Sequence, residues 1–270
     1  MKNVVLTGAT GGMGLATAKK LCQEGYHVFG LDINEPKEIF DNFTFIKTNL
    51  REQESIFNAF NKIKEETKEI DAIVSMAGIY DLNSLIEMSE EDFIRIFDIN
   101  VFAVYRLNKT FVPILKDGGK VIIISSELAP LDPLPFTGIY GITKSTIEKY
   151  AYSLRMELQL LNKQVVVVRP GAVNTSLLDV STTRIEDFSK NTENYKYNAG
   201  KFKQITESVE SRKIAPEKVG ELVNKILNKK KPKYVYKINR NPLLLILNSL
   251  PQKWQNKIIK KILLSKEKRH

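Results

Sequence analysis

One cysteine, two histidines and one tryptophan are all that this chain of 270 residues has of those types. Cys22 has no partner for an internal disulfide, so a reducing, cytoplasmic compartment is expected. It falls in an expected first helix, where a small core residue is the simplest role. His27 and His270 stand far apart, and no Cys/His cluster has the spacing of metal ligands. No structural or catalytic metal is therefore expected. Long apolar runs are missing as well. The uncharged stretch near the C-terminus, Asn241 to Gln252, covers 12 residues with two prolines, short of the ~20 needed to cross a bilayer. Met1 to Leu6 is too short and too soon interrupted to read as a signal peptide.

Acidic residues are scarce in one place only. From Asn228 to His270 there are 13 Lys/Arg and one acid, Glu267, a net +12. The rest of the chain holds 28 basic and 30 acidic side chains, a net −2, so the overall +10 belongs to the tail. The body has no excess positive charge with which to bind nucleic acid, and none is expected as a partner.

What is present points to one large α/β domain, or one with an appendage. Apolar residues make up 43% of the chain. An apolar strand from Asn3 to Thr7 runs into Thr7-Gly8-Ala9-Thr10-Gly11-Gly12-Met13-Gly14 and then a helix from Leu15 to Glu24. A glycine-rich turn from strand to helix lets backbone approach a pyrophosphate, and the helix start offers N–H groups and a positive dipole end. A second strand, His27 to Leu31, ends at Asp32. A carboxylate there accepts a ribose 2′-hydroxyl and repels a 2′-phosphate. No Arg or Lys occupies Ala9 to Met13 or position 33, so NAD is expected ahead of NADP.

Further strands are expected at Phe43–Lys47, Asp71–Ser75, Lys120–Ser125 and Gln164–Val168. Helices are expected at Glu52–Glu69, at about Glu90–Lys116 and from Tyr140 to about Leu161. Strands alternating with helices at this spacing give a parallel, doubly wound sheet. Within the last of these helices, Tyr140-Gly141-Ile142-Thr143-Lys144 sets a phenol and an ammonium one turn apart on one face. A nearby positive charge favours the phenolate, and such a tyrosine suits general acid–base work.

With these motifs in this order, the chain resembles the short-chain dehydrogenase/reductase family in its single-domain form, over roughly residues 3 to 236. The motifs are Thr7-Gly8-x-x-x-Gly12-x-Gly14, Asp32, Ala77-Gly78, Asn100, Ser126, Tyr140-x-x-x-Lys144 and Pro170-Gly171 through Thr175. The resemblance implies a Rossmann-type sheet of about seven strands with helices on both faces. It implies an oxidoreductase that interconverts an alcohol and a ketone or aldehyde by hydride transfer with NAD(P). Tyr140 would be the acid/base, and Lys144 would bind the nicotinamide ribose and lower the tyrosine's pKa. Ser126 would hold the substrate oxygen, with Ser125 as the alternative. Asn100 would bind a water that relays protons from Lys144. Gly8, Met13 and Gly14 would cradle the pyrophosphate, Asp32 would take the adenosine ribose, and Val173 and Thr175 would fix the carboxamide. Thr7, Gly12, Leu50, Ala77, Gly78, Pro170 and Gly171 complete the cofactor-binding set. The chain departs from the pattern at Ser75-Met76, where two asparagines are usual, and at Asn49, where an aspartate usually contacts the adenine amine. An amide oxygen at Asn49 can still accept that bond. The family also pairs through the helices that hold Asn100 and Tyr140. A homodimer or homotetramer is therefore expected, with Phe93, Phe97, Phe102 and Phe111 on one face and Ile147, Tyr150, Leu154 and Leu158 on the other.

Residues 1–238 are expected to form the catalytic domain, with a substrate-covering segment at 175–213. Leu128, Leu134, Phe136, Leu177 and Leu178 fall near the site by position and would make an apolar pocket for a lipophilic substrate. Residues 239–270 form a basic, amphipathic helical extension. In it, Trp254, Ile258 and Ile262 recur one turn apart with lysines largely on the other side, the pattern of a helix lying at an anionic membrane surface. Packing of 242–264 on the body is the alternative. For the whole chain, the alternative to an enzyme is a dinucleotide-binding sensor or a membrane-associated scaffold on the same fold.

Overall fold

The computed structural model describes residues 1–175, 185–210 and 212–265. Seven strands form one sheet, all parallel, in the order β3-β2-β1-β4-β5-β6-β7. They are β1 (Lys2–Thr7), β2 (Tyr26–Asp32), β3 (Phe43–Lys47), β4 (Ile70–Ser75), β5 (Leu115–Ile124), β6 (Gln164–Pro170) and β7 (Val235–Ile238). The helices are α1 (Gly12–Gln23), α2 (Gln53–Glu66), α3 (Glu90–Phe97), α4 (Ala103–Phe111), α5 (Gly138–Leu158), α6 (185–191), α7 (Lys196–Glu210), α8 (Glu217–Leu227), α9 (Pro242–Asn248) and α10 (Gln252–Leu264). The fold is the expected Rossmann-type α/β arrangement.

The strands are apolar throughout because helices cover both faces of the sheet. Successive side chains point to opposite faces, and the core divides accordingly. Val4, Leu6, Val74, Ile122, Val166 and Val168 pack with Leu21 of α1 and Val219, Val223 and Ile226 of α8. Val5, Ile73, Val121, Ile123, Val165 and Val167 pack with Ile56 and Ile63 of α2, Leu107 and Phe111 of α4, and Ile147 of α5. A third cluster lies off the sheet. There Leu82, Phe136, Ile185, Phe188, Phe202 and Leu263 bring the segment after β4, the segment after β6 and the end of the chain together.

The long helix expected to reach Lys116 is shorter. Pro113 lacks a backbone N–H, α4 ends at Phe111, and Leu115 already belongs to β5. The same helix widens into a π-helical turn at Asp98–Phe102, a feature common at functional positions. At its centre sits Asn100.

Two of the expected association faces are also revised. Phe111, Ile147 and Leu158 are core residues, each less than 5% exposed. The exposed apolar side chains from α3 through the π-helical turn into α4 are Phe93, Ile94, Phe102 and Tyr105, and those of α5 are Ile142, Tyr152 and Met156. We propose that these two surfaces meet their copies in a homodimer or homotetramer, because a monomer seldom leaves so much apolar side chain in water on neighbouring helices. Light scattering at micromolar concentration is expected to give a multiple of the 30.8 kDa chain mass. A mass equal to one chain would contradict the proposal.

Candidate active site

The chain reverses its winding between β1 and β4, and the carboxyl ends of these strands border a crevice suited to a ligand. Gly8 follows β1 with φ +70°, and a Cβ there would lie 2.9 Å from Ala77 Cα and N. A Cβ on Gly14 would lie 1.8 Å from the Gly8 carbonyl oxygen. Only glycine permits this fold of the turn. Helix α1 then starts at Gly12 with no side chain capping it. Its first N–H groups face the position a pyrophosphate needs. The residues fit a dinucleotide on these grounds.

Thr7 also has a structural task. Its buried Oγ1 accepts from the backbone N–H of Met76 (3.1 Å) and Ala77 (3.2 Å), tying β1 to the chain beyond β4. It holds the crevice in shape by a bond across the sheet. Asp32, at the end of β2, accepts from Thr10 N–H and Asn34 N–H, both at 3.1 Å. Its carboxylate therefore stands beside the glycine turn, as ribose recognition requires. Asn49 is engaged locally: Oδ1 accepts from Arg51 N–H and the amide donates to Glu52. One lone pair of Oδ1 is left for an adenine amine. Leu50 packs on the core beneath. On the far side of the crevice, a Cβ on Gly12 would lie 2.7 Å from Thr175 Cγ2. Pro170, Gly171, Val173 and Thr175 border the same cavity as Met13 and Gly78.

Helix α5 brings Tyr140 and Lys144 to this cavity, and Ser126 faces them from the end of β5. The Tyr140 phenol and the Ser126 hydroxyl line the same cavity wall, close enough for the serine to stabilise a phenolate. The Tyr140 ring meets Tyr80 edge-on at 4.5 Å. The two candidate serines part company here: Ser125 Oγ donates to Glu148 at 2.7 Å, while Ser126 Oγ accepts from Leu128 N–H at 3.2 Å and lowers the pKa of the tyrosine. Lys144 Nζ donates to the Ile124 carbonyl at 3.2 Å and lies 5.6 Å from the Tyr140 ring centroid. Burial dominates both groups. It pushes the Tyr140 phenol up to about 12, with the Ser126 hydroxyl pulling down and Glu127 adding to the rise. It pushes the Lys144 ammonium down to about 8, against the pull of Glu148. In this enclosed site burial governs the tyrosine, and the opposing pull comes from Ser126 and not from Lys144.

Asn100 also makes structural bonds that the motif alone does not show. Its amide exchanges both bonds with Ile79, accepting from N–H at 2.9 Å and donating to the carbonyl at 3.0 Å. The same nitrogen donates to Thr143 Oγ1 at 3.1 Å. Its two amide hydrogens are thus used within the protein, and one lone pair of Oδ1 is left for the expected relay water. Asn100 fastens the loop after β4 to the helix that carries the tyrosine.

The cavity measures about 170 Å³ and its far wall is apolar: Leu128, Leu134, Phe202, Ile205 and Leu244. Leu128 and Leu134 were expected there. Phe136 is one layer deeper, its ring 4.9 Å from Phe188 and 5.4 Å from Phe202. It holds φ +64°, costly for a bulky side chain. Leu177 and Leu178 lie outside the described residues. Sequence reasoning missed Tyr80, Glu127 and Leu244, whereas Phe202 falls in the expected substrate-covering segment 175–213. Glu127 is buried, and its carboxylate accepts from Asn241 N–H at 2.6 Å just before α9. Burial raises its pKa, while Asn241 and Arg240 oppose the rise. The only signal for Glu127 was an acid next to Ser126. Leu244 had none, being more than a hundred residues from the tyrosine.

With this geometry in view, the likeness to known proteins is specific. The family model described as short chain dehydrogenase matches residues 2–185. A 3-ketodihydrosphingosine reductase of Bacteroides thetaiotaomicron is 26% identical over 253 residues, covering 93% of this chain and 92% of its own. The crystal structure of a short chain dehydrogenase family protein from Francisella tularensis is 26% identical with a TM-score of 0.73, covering 88% of this chain and 97% of that one. A short chain dehydrogenase/reductase from Burkholderia phymatum, crystallised with NAD, shares the fold at 19% identity with a TM-score of 0.76 and 95% of each chain covered. The chain belongs to the short-chain dehydrogenase/reductase family of oxidoreductases.

Proposed function

We propose that this protein interconverts a lipophilic alcohol and its ketone or aldehyde with NAD, and that Tyr140 moves the proton. The observation that carries the proposal is the Tyr140–Ser126 pair set in the wall of a cavity that the glycine turn borders on one side and leucines on the other. Bound nicotinamide supplies or accepts the hydride. Everything else falls to side chains of this chain. Ser126 holds the substrate oxygen against the phenol. In reduction, Tyr140 Oη gives its proton to that oxygen as negative charge develops on it; in oxidation it takes the proton back. Lys144 places positive charge beneath the ring, and this favours the phenolate left behind. Asn100, through Ile79 and Thr143, keeps the helix and the crevice in register.

A lipophilic substrate fits the apolar far wall. The relative named as a 3-ketodihydrosphingosine reductase is in keeping with that. The preference for NAD rests on Asp32, whose carboxylate would repel a 2′-phosphate. The retained Ser126, Tyr140 and Lys144 favour an enzyme over a sensor on the same fold.

Tyr140→Phe removes the proton-carrying atom and little else. Turnover is expected to fall by about 10²–10⁴, while NAD binding followed by titration stays near wild type. Near-normal turnover would remove Tyr140 from the mechanism. Asp32→Ala is expected to shift the ratio of kcat/KM for NAD and NADP toward NADP. A wild type that already prefers NADP would show that Asp32 does not select the cofactor.

A further inference from the structure

Helices α9 and α10 face two ways. Inward, Leu244 reaches the cavity, Gln255 donates to Asp132 at 3.0 Å, and Leu263 is buried with Phe202. Asn198 of α7 donates to the Leu263 carbonyl at 2.9 Å. The tail is therefore fastened to the body. The packing leaves another set of side chains out. Leu243 and Ile246 of α9 are 64% and 62% exposed, and Trp254 of α10 is 58% exposed. Ile262 follows two turns after Trp254 and is also exposed. By helical periodicity Trp254, Ile258 and Ile262 form a stripe between the body-facing side and the lysines. Between Lys237 and Ser265 the chain has six basic residues and no acid. Lys257 rides over the Trp254 ring at 5.3 Å. Among the described residues no helix is long and apolar enough to cross a membrane.

We propose that this outward surface of α9 and α10 docks the protein on the face of an anionic lipid bilayer, with Leu243, Ile246 and Trp254 inserted at headgroup depth. Apolar side chains ringed by lysines match that interface: the side chains leave water, and the ammonium groups meet lipid phosphates. A second copy of the chain fits worse. A two-fold contact would set the same lysines against one another with no acid between them to pair. The proposal rests on this surface alone and stands whatever the cavity binds. If both hold, the bilayer lies against the helix whose other side, through Leu244, walls the cavity.

Trp254 is the single tryptophan of the chain, so its fluorescence reports on this surface and no other. With the full-length protein, phosphatidylcholine vesicles containing phosphatidylglycerol are expected to shift its emission to the blue, and added salt should weaken the effect. Leu243→Asn with Ile246→Asn keeps the reporter and leaves the cavity wall in place. It should lose vesicle binding yet keep turnover of a water-soluble substrate. Lys253→Glu with Lys257→Glu should weaken binding at least about tenfold. No shift with vesicles, an equal shift on pure phosphatidylcholine, or a shift that follows protein concentration without lipid would overturn the proposal.

Discussion

A buried ammonium sets the terms for the site. Lys144 is 6% exposed, and among the described residues its Nζ donates to the Ile124 carbonyl. Burying a charge is costly unless neighbours compensate. Here the compensation comes from Glu148, one turn along α5, itself held by Arg169 of β6 and by Ser125. Helix α5 is thereby locked to β5 and β6 by polar contacts as well as by packing. That lock fixes where Tyr140 stands relative to Ser126. The same enclosure that raises the phenol and lowers the ammonium keeps both groups away from bulk water, where a cofactor's charge counts for most.

Much of this was legible in the sequence for simple reasons. Strand residues such as Val4 to Leu6 and Ile122 to Ile124 are apolar without interruption because both sheet faces are covered. Four glycines within seven residues mark the turn, and Tyr140 and Lys144 announce themselves by their spacing on one helix. Other features depend on contacts the sequence does not display. Pro113 could have stopped the long helix sooner than Lys116, but a proline signals only a break and not the strand that follows. Thr7 and Asn100 read as cofactor or water ligands, and neither motif signals that Thr7 also bonds the backbone beyond β4 or that Asn100 also bonds Ile79 and the Thr143 hydroxyl. Leu244 and Asn241 are invisible for the same reason: they meet the site across more than a hundred residues.

The end of the chain is therefore not a loose addition. Asn241 caps the carboxylate of Glu127 beside Ser126, and Leu244 completes the apolar wall. Helix α10 closes over Phe202 and Phe136 through Leu263. Phe136 in turn keeps a left-handed backbone conformation that its aromatic neighbours stabilise. The polar half of the site comes from α5 and from the end of β5. The apolar half comes from α7, α9 and the loop after β5. Under the proposed function, chemistry and substrate choice would reside in separate parts of the fold, as is common where one scaffold serves many substrates.

The central claim is that a hydride-transfer site opens onto an apolar cavity. The direct test is nicotinamide-linked turnover over a homologous series of straight-chain alcohols and ketones, followed by the absorbance of the cofactor. The account predicts that kcat/KM rises with chain length until the cavity is filled. A value that is flat or falls with length, or no turnover of any member, would contradict it.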